Sequence, residues 1–408
     1  MNIAVAIGGL AFLILIHEAG HFVTALAVKM RPRRFYIFFP PALVKWHRNG
    51  IEYGIGSIPL GGYVKIPGMH KPAAGDLDAH LEPARKEAPS VAAAAAPVEQ
   101  ALTDERYEDA RAGMAGLHAK VGSADLSEGA RRVAERGLVD VDDALAADAY
   151  WRAPTWKRIS VILAGPATNY LFAVLALAIV FMLGVPTGAT RTVEEVAPGS
   201  PAAAMGLEPG DEVVAVNGTR GESADLAEAI RSSGGRPVTV TVERGGSQLQ
   251  LRGTPRLEPE DQVYRLGFAF GLAYESYGPL EALGRAFDTT WEVTKEIGAS
   301  LGRLVRLEGR DEVASVVGIT QVSSESLDVG FRYYLEVLAF ISLSLALLNL
   351  LPLLPLDGGH IAFSIAERVR GRAIPREAYE RASVIGIALV LILFFIGLSN
   401  DVDRIRGG

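Results

Sequence analysis

The sequence predicts a polytopic α-helical membrane protein of four spans, with an inserted α+β domain and a small cytoplasmic β-hairpin or sheet. Three observations carry that prediction. Hydrophobic residues make up 49% of the 408 positions, and the mean hydropathy is +0.23. Four stretches, near residues 3–28, 159–183, 334–356 and 382–398, are apolar over lengths that can cross a bilayer, the last near the lower limit. Between the second and third of them lies a segment of ordinary soluble texture.

Composition removes several function classes. A net charge of −7 argues against a nucleic-acid surface. The absence of cysteine excludes a disulfide scaffold and any thiolate-held zinc, which leaves histidine and carboxylate as metal ligands. The N-terminus has no basic region before its apolar run and no small-residue cleavage site after it, so it reads as a retained span. Lysine and arginine cluster after the first span, just before the second, and between the third and fourth, which puts those segments in the cytoplasm. The N-terminus, the region between the second and third spans and the C-terminal tail then lie outside.

The first span, residues 1–30, contains His17-Glu18-Ala19-Gly20-His21. Positions i and i+4 share a helix face, so His17 and His21 can reach one metal ion. Glu18 stands beside them, able to deprotonate a metal-bound water. A chance H-E-x-x-H in a chain of this length has a probability on the order of 1%, and ionisable groups inside an apolar helix are costly enough to mark function. The bland alternative is a charged cluster kept for packing specificity.

Residues 31–70 form the cytoplasmic, membrane-associated β region, ending in Gly61-Gly62-Tyr63-Val64-Lys65-Ile66. It is either a solvated loop or a strand edge able to pair with an extended substrate. Residues 71–150 are an Ala-rich, acidic cytoplasmic insertion without recognisable chemistry. Within it, 90–101 reads as a linker because of Pro97, and 103–149 as one or two small helices. The second span, 156–184, opens on the interfacial anchor Trp156-Lys157-Arg158 and carries Ala164-Gly165-Pro166-Ala167-Thr168-Asn169. There Gly165 allows close helix approach, Pro166 frees a carbonyl, and Asn169 needs a polar partner.

The soluble segment, 190–257, has strands near 192–196, 213–218, 238–243 and 248–252 and a helix over 224–231. Its run from Val196 to Gly218, with Pro209-Gly210-Asp211 before a strand ending in Asn217-Gly218, resembles a PDZ domain. Such domains bind peptide ends or extended segments by adding a strand. Residues 278–308 are amphipathic and read as a surface or interfacial helix. The third span, 332–360, closes on Asn349-Leu350-Leu351-Pro352-Leu353-Leu354-Pro355-Leu356-Asp357-Gly358-Gly359-His360. Two prolines break it at membrane depth. Asp357 then either caps the following helix or supplies the third protein ligand that a catalytic zinc needs. His360 is placed in cytoplasmic solvent. A basic loop, 361–381, leads to the fourth span, 382–400.

Taken together, these residues resemble the site-2 protease family of intramembrane zinc metalloproteases. His17-Glu18-Ala19-Gly20-His21 matches its first motif, Asn349 to Gly359 its second, and Gly165-Pro166-Ala167-Thr168-Asn169 the start of its second core helix. The Gly61-Gly62 hairpin and a single PDZ domain are similar to the bacterial branch that cleaves anti-sigma factors. The resemblance implies a Zn²⁺ cofactor held by His17, His21 and Asp357, with Glu18 as general base. It implies substrate contacts at Asn349, Asn169, Gly61 and Gly62. The implied partners are an anti-sigma-factor-like transmembrane substrate cut after a first cleavage outside, the lipid bilayer, and a peptide or substrate terminus on the PDZ domain. The implied location is the bacterial inner membrane, with the active site near its cytoplasmic side. Two other readings compete: an inactive membrane scaffold presenting the PDZ domain, and a transporter built on broken helices.

Overall fold

The computed structural model describes residues 2–58, 61–259, 261–306, 308–309, 315–372, 374 and 376–407. They form two compact units, one of 1–177 with 286–408 and the other of 178–285.

The larger unit begins with helix α1 (Asn2–Ala27) and a four-stranded sheet, β1 (Arg34–Ile37), β2 (Phe39–Arg48), β3 (Ile51–Ile58) and β4 (Tyr63–Lys65). The strand order is β2-β3-β1-β4, with β1 and β3 parallel and the other pairs antiparallel. Gly61-Gly62, expected at a hairpin, instead leads into β4, which pairs with β1 and not with β3; the hairpin of this sheet is β2–β3. Its turn is Asn49-Gly50, with φ of 52° and 77°, the two positive values that a tight hairpin turn requires. Strand β4 lies at the sheet edge, so one row of its backbone groups has no strand beside it among the described residues.

The insertion differs from expectation. It is four helices, α2 (Ala74–Glu87), α3 (Pro89–Thr103), α4 (Tyr107–Ser123) and α5 (Glu128–Leu145), around a core that includes Leu77, Leu81, Val98, Leu117, Leu138 and Leu145. The stretch read as a linker lies wholly within α3. Val91, Ala95, Val98 and Leu102 recur at helical spacing and are buried, and alanine is the best helix former. Pro97, on the exposed side, costs one backbone hydrogen bond, up to about 3 kcal/mol in a helix interior, and burial of the apolar stripe outweighs that. Four ion pairs tie the bundle to the sheet: Arg33 to Asp143 (2.8 Å) and Asp148 (3.0 Å), and Lys65 to Asp140 (2.5 Å) and Asp143 (3.0 Å). Burial works against the Lys65 ammonium, yet the two carboxylates hold its pKa above the usual lysine value.

The chain continues into α6 (Thr155–Leu183). The smaller unit then holds β5 (Val185–Val196), α7 (Pro201–Ala204), β6 (Glu212–Val216), α8 (Ser223–Arg231), β7 (Val238–Arg244), β8 (Ser247–Gly253), the two-stranded β9 (Arg256–Glu258) and β10 (Val263–Arg265), and β11 (Phe268–Glu275). Its main sheet is antiparallel in the order β11-β5-β6-β7-β8, around Val193, Leu207, Val213, Leu226, Val240 and Leu266. The sheet runs past the expected boundary at residue 257, because β11 supplies the edge strand beside β5. Asp211, 1% exposed, is held by Arg244 through Nε (2.6 Å) and Nη2 (2.8 Å) and accepts from the Glu208 N–H (3.0 Å).

Next come α9 (Pro279–Val305), α10 (Val316–Val329), α11 (Phe331–Asn349), α12 (Asp357–Arg370) and α13 (Arg376–Gly407). Among the described residues, four helices are long and apolar enough to cross a membrane: α1, α6, α11 and, within α13, Glu377–Arg404. The fourth candidate span, at 28 residues, is longer than expected, since helical hydrogen bonding continues through the charged ends that hydropathy alone leaves out. Helix α10 was not anticipated. It packs on α1 and α11, and its N-terminus is capped by Asp401, which accepts from Ser315 N (2.9 Å), Ser315 Oγ (2.5 Å) and Gly318 N (2.9 Å). Leu13, Tyr334 and Leu338 form a small core there with Phe172 and Leu327.

The Asp211 pair carries a prediction with a definite sign. The Arg244 hydrogen bonds hold the Asp211 carboxyl below the usual range. Its contribution is therefore present above the unfolded value near pH 4 and lost as pH falls through the lower folded value. Asp211→Asn should destabilise the smaller unit by about 1–3 kcal/mol at neutral pH. Hydrogen exchange of β6 and β7 in the full-length protein should show that gap closing with acidification. Equal protection of the two proteins at pH 7 would remove the pair from the stability account.

Candidate metal centre

Helices α1 and α6 meet backbone to backbone. A Cβ placed on Gly20 would lie 2.5 Å from both the Ala164 carbonyl oxygen and Thr168 Oγ1. This contact brings the buried faces of His17 and His21, one turn apart on α1, against the Gly165 region of α6.

Asp357 reaches the same place from far along the chain. After α11 ends at Asn349, residues 350–356 fold back in tight turns, with the Leu353 and Leu356 N–H groups donating to the Leu351 (2.7 Å) and Leu353 (2.8 Å) carbonyls. Those local bonds satisfy backbone that the two prolines release from the helix. The pair Gly358-Gly359 is required by this fold-back. A Cβ on Gly358 would collide with the Leu350 and Leu351 carbonyls, and one on Gly359 would come within 2.5 Å of Leu354 N. Asp357 opens α12, but the capping position is Leu356, with no side-chain cap. The carboxylate turns instead to the two imidazoles.

His17 Nε2 lies 3.1 Å from Asp357 Oδ2, His21 Nε2 lies 3.4 Å from the same oxygen, and the two Nε2 atoms are 3.2 Å apart. For bonds of about 2.0–2.1 Å, the edge of a tetrahedron around zinc is about 3.3–3.4 Å. The three atoms thus sit at the separations of three corners of one such tetrahedron. The proton on His21 is fixed from outside: Nδ1 is 2.8 Å from the Val161 carbonyl, which can only accept, so Nε2 presents its lone pair inward. Gly165 keeps the space in front of these atoms open. A Cβ there would strike His21 Nε2 and lie 2.9 Å from His17 Nε2. On these three grounds the residues fit a zinc ion. Among the described residues this is the one group of histidines and carboxylates with that convergence.

Glu18 adjoins the trio, and the loop before β4 crosses it closely enough that a Cβ on Gly62 would collide with Glu18 Cγ. Gly61 rests on the Phe39 ring, 2.9 Å from where its Cβ would be. Asn169 is fully buried, and neither side-chain atom has a hydrogen-bond partner among the described residues; only its backbone carbonyl is engaged, by Ser342 Oγ at 3.0 Å. Asn349 is half-buried, its Nδ2 donating to Leu345 O (3.0 Å) within its own helix. His360 is half-buried as well, not in open solvent as expected, and stands outside the trio. Sequence reasoning missed the Val161 carbonyl, which carries no residue-type signal. For the Gly165 cluster it offers helix packing or a contact near the metal or substrate, but not the open space in front of the ligand atoms.

The model of peptidase family M50 matches residues 5–393. The chain is 28% identical to metalloprotease MmpA of Caulobacter vibrioides, over 97% of this chain and 94% of that protein. It is 27% identical to the regulator of sigma-W protease RasP of Bacillus subtilis, over 96% of each. It is 28% identical to zinc metalloprotease RasP of Geobacillus kaustophilus, over 99% and 97% respectively. A membrane-helix protein with this donor set belongs to a definite class: the chain is a member of peptidase family M50, the site-2 protease family. It is a zinc-dependent metalloprotease, hydrolysing peptide bonds.

The Gly165 space gives a sharp test. Gly165→Ala should lower zinc affinity at least roughly tenfold, as displaced ligand geometry does, read as zinc retained after dialysis against a chelator. Gly8→Ala, on α1 with nothing within 4 Å of the added carbon, should retain zinc like the wild type. Full zinc in Gly165→Ala would show that the open space is unrelated to the metal.

Proposed function

We propose that the chain is an intramembrane endopeptidase that cuts single-span membrane proteins, with His17, His21 and Asp357 holding zinc and Glu18 as general base. The observation that carries this reading is the convergence, at 3.1–3.4 Å, of two imidazole nitrogens from the candidate span α1 and one carboxylate oxygen from the start of α12. Zinc bound there supplies Lewis acidity, polarising a carbonyl and making water acidic enough to ionise near neutral pH. The chain's own residues do the rest. Glu18 takes the proton of the attacking water and returns one to the leaving amine. Val161 fixes the His21 tautomer, and Gly165 leaves room for the reacting groups.

A helical substrate hides its peptide bonds, so the segment to be cut must unwind. Strand β4, an open edge beside Glu18, can take up an extended segment by main-chain hydrogen bonding. Gly61 and Gly62 keep that approach free of side chains. The unsatisfied amide of Asn169 and the half-buried Asn349 are the polar groups proposed to bind the extended chain. The name of the Bacillus subtilis relative, regulator of sigma-W protease, is in keeping with a substrate of the anti-sigma-factor kind; that it enters after a first cleavage outside is part of the proposal. The smaller unit, with open edges at β11 and β8, is read as a PDZ-type domain binding a peptide or substrate terminus. The positive flanks of the spans support placement in the bacterial inner membrane, with that unit outside and the zinc site near the cytoplasmic face. The inactive-scaffold reading is disfavoured because His17, Glu18, His21 and Asp357 are all present.

Two substitutions test this. Glu18→Gln should retain zinc yet lose cleavage of a co-expressed single-span substrate at least roughly hundredfold; equal processing by both proteins would sink the assignment. Gly62→Pro, which removes an N–H at the open edge, should impair cleavage of the same substrate without loss of zinc. An unchanged rate would take strand pairing out of the mechanism.

A further inference from the structure

A cavity of about 680 Å³ lies away from the metal centre, at the end of the larger unit where α6 and α13 begin. Its lining contains four cationic side chains, Lys71, Arg158, Arg368 and Arg372, against one carboxylate, Glu367. Trp151, Trp156 and Tyr379 complete the wall.

The single carboxylate is already engaged. Both Arg158 Nη atoms donate to one Glu367 oxygen at 2.8 Å, and the Ile374 N–H donates to the other at 3.1 Å. Arg158 itself is 9% exposed, its Nε is buried without a hydrogen-bond partner among the described residues, and its guanidinium centre lies 5.5 Å from the Tyr150 ring centroid. This buried pair is a fixed wall, and it leaves no free negative charge to repel an anion. Two of the other three cations are in excess. Arg368 and Arg372 are exposed and have no carboxylate partner among the described residues, and Lys71 is only 3.6 Å from the exposed Glu105.

The cavity also has the marks of a bilayer interface. It opens where two candidate spans start, with Trp156 in the first turn of one and 61% exposed, the position that interfacial tryptophans take. Ile365 and Val369, on the same helix as Arg368, are exposed apolar residues at 47% and 81%. Arginine pairs with phosphate through two parallel N–H donors, and basic pockets between membrane helices recognise anionic headgroups. The volume suits a headgroup with part of its glycerol rather than a bare phosphate ion.

We propose that this cavity binds the phosphate headgroup of an anionic membrane lipid, with Arg368 and Arg372 as its exposed clamps and Arg158 as its buried floor. The inference rests on the chain being a membrane protein and is independent of the zinc assignment.

The test uses full-length protein in non-ionic detergent, with phosphatidylglycerol and phosphatidylcholine offered together and retained lipids counted by native mass spectrometry. Wild type should favour phosphatidylglycerol, and Arg368→Gln with Arg372→Gln should cut its retention by roughly tenfold or more. Arg370→Gln removes one positive charge between those two positions but lies outside the cavity lining, and it should retain the lipid. Equal loss in Arg370→Gln would show diffuse surface attraction and overturn the site. Displacement of phosphatidylglycerol by millimolar inorganic phosphate would assign the cavity to a soluble anion and overturn the lipid. Zinc content, unchanged in both variants, separates failure here from failure of the protease reading.

Discussion

The near-contact of α1 and α6 at Gly20 and Ala164 is the constraint from which the metal centre follows. At that closeness two helices leave no room for side chains between their axes, so each residue near the crossing must be small or must serve the centre. Gly20 and Gly165 are small. His17 and His21 fill what lies beside them, and Val161, one turn before Gly165 on α6, supplies a carbonyl that orients an imidazole. In an apolar surrounding, where unsatisfied polar groups are costly, three converging ligand atoms are a feature that only a bound cation or a retained proton network makes sense of.

Asp357 completes the set by a different device. A regular helix cannot deliver a carboxylate at its own broken end, so α11 stops, the chain turns through two prolines, and α12 starts at the required place. The Gly358-Gly359 pair is what lets that fold-back lie so close to its own helix start. Chain geometry and donor chemistry are thus set by one short stretch, and the family relationship to zinc metalloproteases is consistent with both.

Much of this was legible beforehand, for physical reasons. The four apolar stretches announce themselves by length, and histidines at i and i+4 have no cheap explanation inside hydrocarbon. Other features lacked such signals. Helix α10 mixes serines and valines without a strong apolar stripe, and it is stabilised by Asp401, more than eighty residues away in sequence. The linker reading of 90–101 failed because Pro97 was weighted above the apolar spacing of Val91, Ala95, Val98 and Leu102. Edge strand β11 escaped notice because its pairing partner, β5, precedes it by most of a domain. The Gly165 space is invisible in sequence, since a glycine that admits a helix and one that spares a metal site are written alike.

The four-helix bundle leaves the sheet and returns to it at nearly one point: Tyr150 N–H donates to the Pro67 carbonyl at 2.8 Å and Trp151 N–H to the Gly68 carbonyl at 3.0 Å. A segment whose two ends close on adjacent backbone behaves as a cassette. Main-chain bonds close the join whatever the loop contains, while the ion pairs of Arg33 and Lys65 with Asp140, Asp143 and Asp148 make the segment's own side chains part of how it seats on the sheet. The same geometry lets residues 71–149 carry a core of their own while the strand and helix at the join keep their places.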